Sequence, residues 1–246
     1  MHLRGKPVLI DSGMPFYFGP RDWVDHFRGA SAHNTVEIEG LPVVRHSGRL
    51  GWSHVSKSMQ LAGREDSRGV IVSGCVHLGG GNSITRSVRL ISGDGIWIVD
   101  LIETDQPREV RWYWQMHHSL AITTPAGGAT GLCCGDLRIA QWSPRGGVGM
   151  VHERADADRP VAWRCSEYGR RMPGARITSH DTAAGRRLVV TYIGVNPPRA
   201  RVRFGEFELL CAGSVADEGV DCPEIDLTPL PFEPLAMGPA QSEKSS

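Results

Sequence analysis

Two strand-like segments joined by a tight turn place the strongest constraint on the fold of this chain. Residues 84–91 alternate between apolar and polar side chains, residues 92–95 read Ser-Gly-Asp-Gly, and residues 96–102 form an almost continuous apolar run. Alternation with a period of two is typical of a half-buried strand, and a glycine-rich turn between two such segments is typical of a hairpin. The sequence therefore predicts a β-hairpin whose second arm is deeply buried.

Short segments with the same character recur along the chain, and only residues 21–28 have the spacing of a helical turn. The other predicted strands are residues 6–11, 35–39, 110–116, 121–124, 137–142, 149–152, 187–193, 200–204 and 207–210. In the strand at 110–116 the even positions are apolar, so we expect the odd positions, with His117 after them, to form a polar and aromatic outer surface. Glycine (30) and proline (16) together occupy 46 of the 246 positions, which also favours a turn-rich β protein.

These patterns predict an all-β fold, an antiparallel two-sheet β-sandwich of eleven or twelve strands, because each sheet has an apolar face that a second layer must cover. We assign residues 1–211 to this sandwich. Residues 212–246 contain five prolines after Cys222 and end in a polar segment, so we expect an extended Pro-rich tail with a disordered end.

Composition argues against several classes of protein. The chain has 27 basic and 27 acidic residues, and no apolar stretch approaches the roughly 20 residues of a membrane span, so we expect neither a nucleic-acid nor a membrane partner. The six cysteines are few for a chain of 246 residues and none has C-x-x-C spacing, so they do not indicate a disulfide scaffold. No signal peptide is evident, which predicts a cytoplasmic protein as the sequence is written and a periplasmic one if the N-terminus is truncated.

Several segments in register resemble one family. Residues 5–13 (GKPVLIDSG), the pair Phe27 and Arg28, and residues 32–36 (AHNTV) resemble the opening of the C-terminal β-domain of heparinase II/III-type polysaccharide lyases. Residues 86–100 resemble the family's central hairpin, residues 114–117 its following strand, and residues 163–169 a later pattern. The resemblance covers residues 5–205 and implies a sandwich of the supersandwich type.

The resemblance also implies a chemistry. Such lyases consist of an α-helical toroid followed by this β-domain, and they cleave uronic-acid-containing polysaccharides by β-elimination in the cleft between the two parts. The toroid is missing from this chain, which is then a fragment, a mis-called start, or the partner of a separately encoded toroid. We therefore expect the chain alone to be inactive, and a non-catalytic carbohydrate-binding or structural module is the alternative.

By the same resemblance, Asp11 and His33 match two of three metal ligands, usually of zinc. A carboxylate and an imidazole suit zinc, but the third ligand, a histidine, belongs to an upstream stretch that this chain lacks, so the predicted site is incomplete. In the alternative interpretation, Asp11 caps a turn and His33 bonds to the backbone.

The remaining candidates are polar or aromatic residues near these segments. Arg28 offers a guanidinium for a uronate or sulfate, or else pairs with Asp22 or Asp25. Tyr17 is a candidate proton donor, and the alternative is that its ring only packs. Asn34 is a candidate catalytic amide, and the alternative is that it makes a local turn bond. The candidate substrate-binding residues, beside Arg28, are His117, Trp163 and Tyr168; the alternatives are a solvated histidine and aromatic packing.

Overall fold

The computed structural model describes residues 1–48, 50–67, 69–91, 95–124, 131–195, 199–212 and 224–229. One α-helix, α1 (Arg21–Arg28), and one 3₁₀ turn (Ala30–Ala32) occur in this part of the chain. The strands are β1 (His2–Leu3), β2 (Lys6–Pro7), β3 (Val36–Ile38), β4 (Val44–Ser47), β5 (Gly51–Val55), β6 (Lys57–Asp66), β7 (Gly69–Gly79), β8 (Asn82–Ile91), β9 (Gly95–Met116), β10 (Ile122–Thr123), β11 (Leu132–Cys134), β12 (Leu137–Ser143), β13 (Gly146–Gly147), β14 (Met150–Arg154), β15 (Trp163–Glu167), β16 (Arg170–Pro173), β17 (Ala175–Gly194), β18 (Arg199–Phe204), β19 (Phe207–Ala212) and β20 (Glu224–Asp226).

An antiparallel sheet of eleven strands dominates the molecule. Its main path runs β10-β11-β12-β17-β9-β8-β7-β6, and β3, β13 and β14 pair with strands on this path. The predicted central hairpin is confirmed, since β8 and β9 pair with Val88 opposite Ile98. The all-β, antiparallel sandwich prediction is likewise confirmed, although the described residues form twenty strands and not the predicted eleven or twelve, because several are two- or three-residue strands too short to show alternation.

Strand β9 is long and sharply bent. The indole Nε1 of Trp112 donates a hydrogen bond of 3.0 Å to Oδ2 of Asp100, although a straight strand would separate these residues by about 40 Å. β17 pairs with β9 along both halves, and its register shifts between Ala183 and Gly185. One strand pair therefore contributes to both layers of the sandwich. Our prediction of two separate strands, at 96–102 and 110–116, was wrong because both segments belong to one strand, whose pairing with β17 resumes on either side of the register shift.

Two hydrophobic clusters lie on opposite faces of the sheet. The first fills the concave side and contains Ile98, Val110, Trp112 and Trp114, all predicted to be buried, with Val88 partly buried against it. The second packs the other face of β9, which bears Trp97 and Val99, against a small sheet formed by β19, β18 and β20.

The second half of β9 is also covered on its odd-numbered side. Tyr113 and Gln115 are buried, and Nε2 of Gln115 donates to the carbonyl oxygen of Ser31 at 2.9 Å. The prediction of an outer polar surface here was wrong for these two residues, because the segment containing α1 and the 3₁₀ turn packs over them. This packing carries the candidate site.

Part of the C-terminal region is described. β20 pairs with β18 in parallel, and Leu227 is buried in the second cluster. The rest of the proposed tail, including its end, lies outside the described residues, so the boundary at residue 212 and the disorder stay predictions. None of the helices described has the length and apolar character needed to cross a membrane.

Candidate active site

Helix α1 forms one wall of the candidate site. Trp23, Val24 and Phe27 share its buried side, and Gly29 ends it. Trp23 and Phe27 pack with Ala32 in a third hydrophobic cluster, which Trp163 joins from the β15–β16 hairpin. Arg28 follows Phe27 at the end of the helix, and its side chain reaches the β4–β5 hairpin.

Asp11 and His33 meet, as predicted, although 22 positions separate them. Nδ1 of His33 lies 2.8 Å from Oδ2 of Asp11, and the Gly13 amide donates to Oδ1 of Asp11 at 2.8 Å. The hydrogen bond to Asp11 raises the pKa of His33, and a bond with the Phe27 backbone raises it further. The same contact with His33 lowers the pKa of Asp11. The pair is therefore an ion pair when His33 is protonated.

Asn34 sits behind this pair rather than in the open. Its Nδ2 donates to the carbonyl oxygen of Ile10 at 2.7 Å, and its Oδ1 accepts from the Gln115 amide at 2.7 Å. Both ends of the amide are thus bonded to the backbone of neighbouring segments. The structure gives Asn34 a positioning role, and a catalytic role for it remains untested.

An open cavity of about 420 Å³ brings four of the predicted residues together. Asp11, Tyr17, Arg28 and His33 line it. Its other lining residues are Gly13, Met14, Phe27, Leu50 and Trp52. Residues from four separate parts of the sequence therefore face one space that is large enough for a sugar unit.

The far wall of the cavity is the β4–β5 hairpin. Nη2 of Arg28 donates to the carbonyl oxygen of Gly51 at 2.8 Å and Nη1 to that of Gly48 at 3.2 Å. The guanidinium carbon of Arg28 also lies 4.3 Å from the ring centroid of Trp52, a cation–π contact. Trp52 was not predicted, because the sequence around it has no strand alternation; a lone tryptophan in a polar segment is the one sequence signal that could have found it.

A second cavity of about 510 Å³ lies on the other side of Arg28, His33 and Trp52, which line both spaces. Aliphatic residues of β3 and of residues 41–44 form much of its lining. Beside it, Nδ1 of His46 lies 3.4 Å from Oδ1 of Asp25. The three shared residues thus form a ridge between two adjoining spaces.

The remaining predicted residues fall in different places. Tyr168 is 66% exposed and its ring centroid lies 6.1 Å from that of Tyr17, which is 48% exposed. Trp163 is partly buried, 5.9 Å from Trp23 between ring centroids, and its Nε1 donates to the carbonyl oxygen of Asp156. His117 lines neither of these cavities, and its Nδ1 lies 2.8 Å from Oγ of Ser119. The structure thus places Tyr168 with Tyr17, but not Trp163 or His117 at the cavity.

The donor set at Asp11 and His33 suits zinc chemically but is small. One carboxylate oxygen and one imidazole nitrogen are suitable zinc ligands. Within the described ranges, no group of three or more histidine, cysteine, aspartate or glutamate side chains is positioned to hold a metal ion. The pair would supply two ligands, as the sequence predicts, and zinc binding remains a proposal.

Comparison with known proteins agrees with this geometry. The family model "Heparinase II/III-like, C-terminal" matches residues 1–199. The chain belongs to this family. No curated protein sequence matches it.

Solved structures with a fold similar to this heparinase II/III-like domain include heparinase III and heparan sulfate lyase chains that are much longer than this one. A heparinase III, the BT4657 gene product, superposes with a TM-score of 0.60 at 16% identity. The superposition covers 77% of this chain and 28% of the heparinase III chain. The heparan sulfate lyase HepC from Pedobacter heparinus gives a TM-score of 0.56 at 12% identity, covering 78% and 29%. Another heparinase III gives 0.59 at 14% identity. At these identities the likeness shows the fold, and the chain spans less than a third of the length of these structures.

Proposed function

We propose that this chain is the β-domain of a lyase that cleaves uronic-acid-containing polysaccharides by β-elimination. The observation that carries the proposal is the convergence of Asp11, Tyr17, Arg28 and His33 on one cavity. Family membership supports a polysaccharide lyase context. The chain's own residues then have distinct tasks.

Arg28 is suited to the uronate carboxylate. Elimination begins with loss of the proton alpha to that carboxylate, and neutralising the carboxylate makes the proton more acidic. A guanidinium offers a planar set of donors that matches a carboxylate, and bonds to two backbone carbonyls hold this one in place. A bound uronate would thereby be oriented at the cavity wall.

Aromatic side chains are suited to the sugar faces. Tyr17, Tyr168 and Trp52 each expose about half or more of their surface beside the cavity. Exposed rings of this kind stack on the apolar faces of sugars, and the Tyr17 hydroxyl can donate a proton to a leaving oxygen. We assign binding to all three rings and proton donation to Tyr17 alone.

His33 is held from two sides, by Asp11 and by the Phe27 backbone, so we assign it no proton transfer. Zinc, when bound, would be held by Asp11 and His33 and would supply a fixed positive charge beside the cavity. Either way, the pair links the loop that carries Tyr17 to the segment that follows α1.

The complete reaction needs more than these residues. A base, an acid and carboxylate neutralisation must act together, and loss of a positioned acid or base typically costs about 10²- to 10⁴-fold in rate. We propose that the other groups lie in an α-helical toroid, the partner of this domain. The chain by itself should then bind uronans with little or no turnover.

The test is to incubate the purified chain, with and without zinc, with heparan sulfate and with alginate. Turnover is followed by the ultraviolet absorbance of the 4,5-unsaturated product, and binding by calorimetry. We expect binding without turnover, weakened by Arg28→Ala but not by Arg111→Ala, an exposed arginine outside both cavities that pairs with Glu109.

Robust turnover by the chain would move the catalytic assignment onto its own residues. Failure to bind any uronan would overturn the proposed site. Binding without turnover by the longest protein that the gene encodes would favour a non-catalytic carbohydrate-binding module.

A further inference from the structure

We propose that Arg86 and Asp100, an ion pair in the core, are positioning residues that align Asp11 with His33 by holding Asn34. The inference rests on the proposed function for its catalytic consequence, whereas the alignment itself is a property of the folded chain. Neither Arg86 nor Asp100 lines the cavity, so their influence must pass through the backbone.

Asp100 is fully buried and fully bonded. Its two oxygens accept from Nε and Nη2 of Arg86 at 2.6 and 2.9 Å, and Oδ2 also accepts from the Trp112 indole at 3.0 Å. A bidentate arginine–carboxylate pair fixes the plane of the guanidinium. Arg86 therefore has one defined orientation, set from inside the bend of β9.

The remaining terminal nitrogen of Arg86 reaches the candidate site. Nη1 donates to the carbonyl oxygen of Asn34 at 3.0 Å, across 52 positions of sequence. The guanidinium carbon also lies 5.2 Å from the ring centroid of Trp114. The buried ion pair thus ends on the backbone of the residue that follows His33.

Asn34 passes this constraint to the loop of Asp11. Its amide bonds to the carbonyl oxygen of Ile10 and to the Gln115 amide, and the Ile10 amide donates to the Gln115 carbonyl at 3.0 Å. Residues 10, 34 and 115 are thereby tied at one point. Asp11 is one peptide beyond that point in the first segment, and His33 is one peptide before it in the second.

The Asp11–His33 contact cannot supply this alignment by itself. The side chains are 60% and 40% exposed, and exposed pairs are worth little because solvent competes and two side chains must be ordered. Buried ion pairs, in turn, are weak evidence for a role in stability, because desolvation offsets their attraction. A positioning role accounts for a fully buried Asp100 whose arginine partner, itself only partly exposed, uses its remaining terminal nitrogen to bind the Asn34 carbonyl.

The test measures the tautomer of His33, not activity. The ¹⁵N shifts of the imidazole are recorded in the metal-free chain, with chelator, at a pH where the ring is neutral. In the parent chain Nδ1–H donates to the Asp11 carboxylate, which as a charged acceptor is stronger than the Phe27 backbone carbonyl on the other side of the ring, so the Nδ1–H form should dominate. In Arg86→Lys, which cannot hold the three-way geometry, and in Asn34→Ala, the Nε2–H form should become the major one.

The matched control is Arg187→Lys. Arg187, like Arg86, pairs with an aspartate, Asp181, and it is more deeply buried, but it has no bond to residues 10, 34 or 115. The Arg187→Lys substitution should lower the melting temperature and leave the His33 tautomer unchanged. Asn34→Ala removes no buried charge, so it keeps the test valid if Arg86→Lys does not fold.

An unchanged tautomer in folded Arg86→Lys or Asn34→Ala would overturn the proposal. So would an equal change in Arg187→Lys, because the effect would then follow stability alone. Absence of the Nδ1–H form from the parent chain would remove the alignment that the proposal explains. Loss of uronan binding with the tautomer pattern intact would count against the proposed function only.

Discussion

The concave core of the bent sheet and the β4–β5 hairpin, which forms the far wall of the cavity, are ordered by opposite means. In the core, Trp112 and Trp114 are almost completely buried, with relative exposures of 0 and 1%. In β5, all five residues are exposed, and Trp52 is 47% exposed. The core is fixed by many contacts at once, whereas the hairpin depends on a few side chains of α1, chiefly Arg28. The core is therefore rigid by packing, and the hairpin wall of the cavity is held by individual bonds.

The largest effect that follows from this contrast is on stability. Trp112→Ala removes a buried ring and leaves Asp100 without one donor, so we expect a loss of about 3–5 kcal/mol in the free energy of unfolding, measured by urea denaturation. Trp52→Ala removes a half-exposed ring and one cation–π contact, and should cost at most about 1 kcal/mol. Equal losses would show that the hairpin is as tightly packed as the core.

The same contrast explains what the sequence could predict. Alternation marks strands that have one buried face, so the β8–β9 hairpin and the burial of Trp112 and Trp114 were found from the pattern alone. The bend in β9 was not found, because the alternation of the two segments does not show that their pairing with β17 resumes across a register shift. The covering of Tyr113 and Gln115 was missed because it depends on where α1 packs.

Some features of the candidate site were likewise predicted from the sequence, and others were missed. The contact between Asp11 and His33 was predicted through the family resemblance, and the structure shows it. Trp52 was missed because its position depends on bonds from Arg28 to carbonyls of Gly48 and Gly51, and side-chain-to-backbone bonds have no sequence signature. The role of Arg86 was missed for the same reason, since it binds the Asn34 carbonyl.

The next effect is on ligand binding at the hairpin wall. Arg28→Ala removes the proposed partner of the uronate carboxylate, and a hydrogen bond to a charged group is worth about 1.5–3 kcal/mol, or roughly ten- to a hundredfold in Kd. Arg28→Lys should recover only part of this, because an ammonium cannot replace the planar fork. Calorimetry with uronan oligosaccharides measures it. Full affinity in Arg28→Ala would show that Arg28 does not bind the uronate carboxylate.

A smaller effect concerns His26, in the layer between core and cavity. Burial, and then the charge of Arg176, lowers the pKa of His26 to about 4. The unfolded chain takes up the proton near pH 6.5 and the folded chain only near 4, so stability should fall as pH drops through this window, by about 1–2 kcal/mol after allowance for partial exposure. His26→Gln should remove this fall and the same change at exposed His180 should not, in urea denaturation at several pH values.

The smallest effect sharpens the comparison most, because it sets an exposed ion pair against the buried pair of Arg86 and Asp100. His33 has a raised pKa, so its contribution is complete below about pH 6.5 and is lost as pH rises through the folded-state value. Asp11 has a lowered pKa, so its contribution is present above about pH 3.9 and is lost as pH falls through the lowered value. The pair should therefore stabilise the fold most between about pH 4 and 6.5.

A double-mutant cycle with Asp11→Asn and His33→Gln, in metal-free buffer, measures this coupling. At pH 5.5 we expect a coupling energy below about 1 kcal/mol, since both side chains are more than a third exposed, and at pH 9 almost none. A coupling of several kcal/mol would mean that the pair holds the two loops together by itself, and the buried pair would then not be needed to align them. A weak coupling combined with a well-defined His33 tautomer would show that order at the exposed site originates in the core.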